Sequence, residues 1–186
     1  FPTPAGKVRI IDTPGIYSLH SDTEEQKVTQ RILLEENVDV IINVIDARNL
    51  SRNLYLTLQL LELSIPLILV LNQMDMAEEL GMEIDVDSLS HILGIPILTM
   101  VAAKGKGLEK LETIISKVAE HSEDARPDEK HMPFPTQMPK EDLLTYSEPV
   151  EKVLCMLQSR IEDTIPKEEG KHKLHPPRAL AIHLME

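Results

Sequence analysis

Aromatic residues are scarce. The 186 residues include no tryptophan, two phenylalanines and three tyrosines, so any core must be built from Leu, Ile, Val and Met. There is one cysteine, Cys155, which excludes an intrachain disulfide and suits a reducing compartment. Long apolar runs are also missing: those around 38–44 and 65–71 fall far short of the roughly 20 residues that a membrane helix needs. Phe1-Pro2-Thr3-Pro4 lacks the basic stretch followed by an apolar one that marks a signal peptide. By itself the chain is expected to be soluble. Basic residues are outnumbered, 19 against 31 acidic ones, and the net charge of −12 repels phosphate backbones, which argues against nucleic acid as a partner. A single nucleotide stays possible, because local backbone N–H groups hold its phosphates.

Apolar residues make up 42 % of the chain, enough for a real core, and they come in alternating strand-like and helix-like segments. Val8-Arg9-Ile10-Ile11 is a short apolar run ending in Asp12. Ser21-Asp22-Thr23-Glu24 fits a capping box that opens a polar helix to about Glu36. Val38 to Ile45 is a β-branched run whose composition predicts a central parallel strand buried on both faces. Asn53 to Leu63 reads as a helix with Leu54, Leu58 and Leu61 on one side, and Leu67 to Leu71 as a strand opened by Pro66. Asp85 to Leu93 reads as a helix stopped by Gly94. A strand to about Met100 and a helix carrying Leu108, Leu111, Ile115 and Val118 come next. This alternation predicts an α/β fold, a parallel sheet with flanking helices whose functional loops lie at the carboxyl ends of the strands. Periodicity ends near Ser122 and resumes with a helical face of Val150, Val153, Leu154, Leu157 and Ile161. His172 and His175 read as part of a solvated loop rather than a metal site, since four ligands of fitting type are not in view.

Three polar turns come directly after the strand-like runs. In P-loop GTPases an Asp placed like that of Asp12-Thr13-Pro14-Gly15 holds Mg²⁺, commonly through water, and the Gly lets its N–H approach the γ-phosphate. Asn72-Gln73-Met74-Asp75 offers a carboxylate, Asp75, that can accept from the N1–H and N2 amine of guanine, a donor pair that adenine lacks. Val101-Ala102-Ala103-Lys104-Gly105-Lys106-Gly107 supplies small residues whose backbone N–H can meet guanine O6. Each turn alone is an ordinary loop or helix cap. Their order and spacing together match guanine-nucleotide binding, with Asp12, Thr13, Pro14, Gly15, Asn72, Gln73, Asp75, Val101, Ala102 and Ala103 as candidate contacts and Asp12 as the metal ligand.

The residues also resemble one family. Asp12-Thr13-Pro14-Gly15-Ile16-Tyr17-Ser18-Leu19 and the stretch Asp46-Ala47-Arg48-Asn49-Leu50-Ser51-Arg52-Asn53-Leu54-Tyr55-Leu56-Thr57-Leu58-Gln59-Leu60-Leu61-Glu62-Leu63 are similar to bacterial ferrous iron transport protein B, as is Asn72-Gln73-Met74-Asp75. The tail, Pro177 to Glu186, resembles the helical domain that comes after the GTPase domain there. The likeness covers residues 6–121 strongly and the rest weakly. It implies GTP or GDP with Mg²⁺ as cofactors, and a transmembrane iron-permease region as partner in a parent at the cytoplasmic face of the bacterial inner membrane. It also allows an oligomeric parent.

The departures from that pattern are specific. No G-x-x-x-x-G-K-[ST] occurs, and the first switch segment with its Mg²⁺-binding Thr is absent. Gln73 stands where most GTPases have a Lys along the base. Ile16 comes after Gly15, where Ras-like enzymes carry a water-orienting Gln, so no catalytic residue is assigned. Ala102 or Val101 stands where a Ser is usual. The reading is an incomplete P-loop GTPase (Ras-like) domain over 1–121, a linker over 122–141 and a partial α-helical domain over 142–186. In the Ras-like order a strand before the phosphate loop separates the strand ending at Asp12 from that ending at Asp46. Without it, a destabilised chain, or a gap or re-pairing in the sheet, is expected. The alternatives are an Era/EngA-like ribosome-associated GTPase and an inert truncated fragment that binds no nucleotide.

Overall fold

Apolar alternation decides the layout. The computed structural model describes residues 2–3, 6–19, 23–36, 38–63 and 65–122, and towards the C-terminus 147–148, 151–153, 155–157 and 159. The elements run β1 (Pro2–Thr3), β2 (Gly6–Lys7), α1 (Glu24–Glu35), β3 (Ile41–Asp46), α2 (Leu50–Glu62), β4 (Leu67–Asn72), α3 (Met74–Glu79), α4 (Val86–Leu93), β5 (Ile97–Thr99) and α5 (Leu108–Ser122), with 3₁₀ turns at Ala47–Asn49 and Ala102–Lys104. Strands β3, β4 and β5 form a parallel sheet in that order, with Ile41 opposite Leu67, Asp46 opposite Asn72 and Leu71 opposite Thr99.

The unbroken apolar run of β4 is explained by burial on both faces. Leu67, Leu69 and Leu71 point into a core with Ile45, Leu56, Leu60, Leu61, Ala77, Leu93 and Ile95. Ile68 and Val70 point the other way, to Met100, Ile42, Leu98, Leu111 and Ile114. Each such leucine or isoleucine contributes about 1.5–3 kcal/mol when fully buried. One polar pair enters the layer under α2: Asn43 Nδ2 donates to Thr57 Oγ1 at 2.9 Å, and that hydroxyl donates to the Asn53 carbonyl at 3.3 Å, so the buried groups are satisfied. Helix α4 is bounded as its sequence predicts, with Asp85 accepting from Ser88 N–H at 2.9 Å and Gly94 closing it at φ 66°.

Three expectations are corrected. Val8–Ile11 forms no strand: Ile10 is 64 % exposed and Ile11 39 %, and Pro2–Thr3 pairs antiparallel with Gly6–Lys7. A strand needs a neighbouring strand in register, and the described parallel sheet consists of β3, β4 and β5 alone. For the same reason β3 is not central but outermost, and Val44 is 55 % exposed because α5 packs over Ile68 and Val70 and leaves it uncovered. The cap of α1 is Thr23, whose Oγ1 accepts from Gln26 N–H at 3.4 Å, two residues beyond the expected Ser21. Positions 148, 151–153, 155–157 and 159 are helical, and Glu151 N–H donates to the Ser147 carbonyl at 3.0 Å. Val150, Leu154, Ile161, the linker from 123 to 141, His172, His175 and the tail from Pro177 lie outside the described residues.

Candidate functional site

Parallel pairing brings the carboxyl ends of β3, β4 and β5 to one rim, where Asp46 stands beside Asn72 and Leu71 beside Thr99. In open parallel sheets this is the rim that binds ligands. Two of the three expected turns meet there. Asn72 ends β4, and its Oδ1 accepts from the Ala102 N–H at 3.0 Å. The Met74 N–H donates to the Met100 carbonyl at 3.4 Å, and Asp75 Oδ2 lies 2.6 Å from Lys104 Nζ. The 3₁₀ turn that carries Ala102 and Ala103 is closed on itself, because Val101 N–H donates to Lys106 O at 3.0 Å and Lys106 N–H returns to Val101 O at 3.2 Å. Val101 is buried, while Ala102 and Ala103 are exposed.

Gln73 has φ 61° and is the one non-glycine residue with positive φ among those described. That left-handed turn costs a non-glycine residue about 1–3 kcal/mol and persists only where surrounding contacts impose it. Here they do: the Gln73 carbonyl accepts from Met76 and Ala77 N–H, each at 3.1 Å, which starts α3 and puts Asp75 in its first turn. The Gln73 Oε1 is buried and has no hydrogen-bond partner among the described residues. Asp75 Oδ1 accepts from the Met76 N–H at 3.0 Å. The Lys104 ammonium holds the Asp75 carboxyl below the usual carboxylate range, and Asp75 in turn raises Lys104.

The remaining turn stands apart. Asp12 and Gly15 are exposed, Thr13 and Pro14 half-buried, and among the described residues no strand leads into them. No hydrogen bond among the described residues joins them to Asn72–Asp75 or Val101–Ala103. The next segment, residues 16–19, is anchored. Ile16 packs against the core, the Arg52 guanidinium sits 4.1 Å from the Tyr17 ring centre, and the N–H of buried Leu19 donates to Gln59 Oε1 at 2.8 Å. The Leu19 carbonyl accepts from Gln30 Nε2. Gly15 itself is not needed by the fold: a methyl group there would meet nothing within 4 Å.

A second carboxylate at the rim escaped the motif reading. Asp46 is gripped by a forked pair, Arg48 Nε on Oδ1 at 3.0 Å and Nη2 on Oδ2 at 2.8 Å, with Arg48 N–H and Asn49 Nδ2 adding bonds at 2.9 and 3.1 Å. These bonds pull its carboxyl down to about 2. Asn53 Nδ2 bonds the Asp46 and Asn49 carbonyls at 3.2 and 3.0 Å. Arg48 Nη1 reaches the Met76 sulfur at 3.8 Å, next to Asp75. The signal for Asp46 was its position at the end of an apolar run, the same signal that singled out Asn72. Among the described residues no group of three or more His, Cys, Asp or Glu is arranged to hold a metal, and no helix is long and apolar enough to cross a membrane.

Residues 3–115 match the family model described as ferrous iron transport protein B. The chain belongs to that family. The Fe(2+) transporter FeoB of Salmonella typhimurium (strain LT2) is 45 % identical over 121 residues, which cover 63 % of this chain and 16 % of that transporter. The FeoB G-domain of Methanococcus jannaschii superposes with a TM-score of 0.57 at 44 % identity over 59 % of this chain and 69 % of that one. The cytosolic domain of the T. maritima FeoB iron transporter in GMPPNP form gives a TM-score of 0.70 at 30 % identity over 92 % of this chain and 60 % of that one. The chain thus shares the FeoB G-domain fold and spans a small part of the transporter's length. Much of the Asp46–Leu63 stretch that resembles FeoB does structural work: Arg48, Asn49 and Asn53 tie down Asp46 at the rim, Arg52 and Gln59 hold the 16–19 segment, and Thr57 satisfies Asn43 under α2.

Proposed function

We propose that the chain is the guanine-nucleotide-binding part of a ferrous iron transporter. GTP binding and hydrolysis at this rim, on the cytoplasmic face of the bacterial inner membrane, would regulate Fe²⁺ movement through a transmembrane permease region, in a parent that can oligomerise. The division into a nucleotide-binding part to residue 121, a connection over 122–141 and a helical part over 142–186 belongs to the same proposal. The reading rests above all on the bond from Ala102 N–H to Asn72 Oδ1 at 3.0 Å, because it holds the two base-binding turns against each other. Asp75 would accept from guanine N1–H and the 2-amino group, Asn72 would fix the turn, and Gln73, Val101, Ala102 and Ala103 would line the base.

Gly15 would let its N–H approach the γ-phosphate, with Asp12, Thr13 and Pro14 forming the rest of that turn. The absence of any packing or conformational demand for glycine at 15 supports a ligand as the reason for it. Mg²⁺ fits the donor set, since it is bound by one or two carboxylates together with phosphate oxygens and water, and Asp12 supplies one exposed carboxylate. When bound, the ion would offset phosphate charge. Ile16 packs into the core, so orienting the attacking water falls to another group.

Titration of the chain with fluorescent GDP, GTP and ATP analogues tests the reading. Guanine nucleotides should bind better than ATP, and Asp75→Ala should remove that preference, a loss of about tenfold or more for two hydrogen bonds to a charged acceptor. The alternative of an inert fragment predicts that none of the three analogues binds. Equal affinity for adenine and guanine nucleotides, or none for either, would sink the proposal.

A further inference from the structure

Lys104 has no part in the contacts proposed above, yet its ammonium lies 2.6 Å from Asp75 Oδ2. The Asp75 side chain is 27 % exposed and that of Lys104 68 %, so the lysine sits on the solvent side of the carboxylate. The other oxygen is engaged by the Met76 N–H at 3.0 Å. The lysine is held in reach by its turn. Gly105 closes that turn at φ 68°, the Val101–Lys106 bridge ties its ends, and Ala102 bonds Asn72. Guanine brings two donors to a carboxylate, N1–H and the 2-amino group, whereas hypoxanthine brings N1–H alone.

We infer that Lys104 is a built-in competitor for the base, its ammonium standing at Asp75 where a guanine donor would bind. Guanine must displace it to engage both carboxylate oxygens, and a purine without the 2-amino group can leave it in place. Lys104 therefore narrows the margin by which guanine is preferred over hypoxanthine. It also leaves the carboxylate paired when no base is bound. This inference rests on Asp75 as the base acceptor.

The test compares GDP and IDP binding to the full chain for wild type, Lys104→Met, Lys104→Arg and Asp75→Ala. Backbone amide shifts of residues 72–76 and 101–105 read dissociation constants into the millimolar range. Lys104→Met keeps the apolar stem and removes the charge. It should raise the GDP-to-IDP affinity ratio by about two- to fivefold, the range spanned by exposed ion pairs, and Lys104→Arg should return it to the wild-type value. High salt should widen the wild-type ratio and leave that of Lys104→Met unmoved. An unchanged ratio in Lys104→Met, with Asp75→Ala still lowering it, overturns the competitor role and leaves the base reading standing. Asp75→Ala binding GDP as the wild type does, or no shift at either turn with GDP, overturns the base reading and the inference with it.

Discussion

A methyl group added at Gly15 meets no atom within 4 Å, whereas one added at Gly107 meets the Thr99 carbonyl oxygen at 2.6 Å. Single residues at this rim therefore separate into those the fold needs and those it does not. Gly15→Ala should leave the unfolding free energy from urea titration unchanged within about 0.5 kcal/mol. It should weaken GTP binding relative to GDP, because the methyl group would stand between its N–H and the γ-phosphate. A variant that loses stability, or one that binds both nucleotides as before, contradicts the role proposed for this residue. Asp46 is the opposite case, a charge the fold uses. Its carboxyl falls to about 2 in the folded chain from 3.8, so its stabilisation is full above 3.8 and is lost as pH falls through about 2. Its side chain is 25 % exposed, and the contribution is about 1–2 kcal/mol after solvent screening. Asp46→Asn should be less stable by that amount at pH 6, with the gap to wild type closing between pH 4 and 2 in urea titrations. A gap that stays constant with pH would assign the loss to shape and not to charge.

Between elements, the junction of β5 and α5 is tight. Gly107 has φ 94° and lies against Thr99 and Met100, so the turn carrying Ala102 and Ala103 returns close to the strand it left. Gly107→Ala combines positive φ with a backbone clash and should cost more than about 2 kcal/mol. Because Met100 O also accepts from Met74 N–H, the amide shifts should spread to residues 72–76. Confinement of the change to α5 would show that the two turns are not mechanically joined. Elements whose cause is local were legible in the sequence: β4 from its apolar run, α4 from Asp85 and Gly94, and the strand ends at Asp46 and Asn72 from the polar residues after their runs. The start of α1 shows the limit of a local pattern: Ser21-x-x-Glu24 and Thr23-x-x-Gln26 both satisfy the capping box, and the helix is capped by Thr23. Asp75–Lys104 and Asn72–Ala102 join residues 29 and 30 positions apart, and nothing in either segment specifies such a partner. The strand expected at Val8–Ile11 failed for a related reason: its composition is strand-like, but pairing belongs to the neighbour.

At the scale of the molecule the absence of a strand at Val8–Ile11 has a measurable counterpart on β3. Three strands with helices on both faces meet the minimum for independent stability, and the described sheet is expected to be uneven in stability, weakest at its outer strand. The Ile41 N–H donates to the Pro66 carbonyl at 2.8 Å, so it points at the β4 side. With the two-residue period of a strand, the N–H groups of Asn43 and Ile45 point the same way, and those of Ile42 and Val44 point to the edge where no described strand pairs. In β4 the N–H groups alternate between β3 and β5, both present. Hydrogen exchange should therefore split one sheet in two. The amides of Ile42 and Val44 should exchange faster than those of Leu69, Val70 and Leu71 by on the order of a thousandfold, because the former open without unfolding and the latter only with it. Any strand added at that edge, from a longer form of the chain or from a second copy, should slow Ile42 and Val44 and leave Leu69–Leu71 nearly unchanged. Equal, strong protection of all five amides in dilute monomeric chain would mean that the edge is already filled and that the three-stranded sheet is incomplete as described.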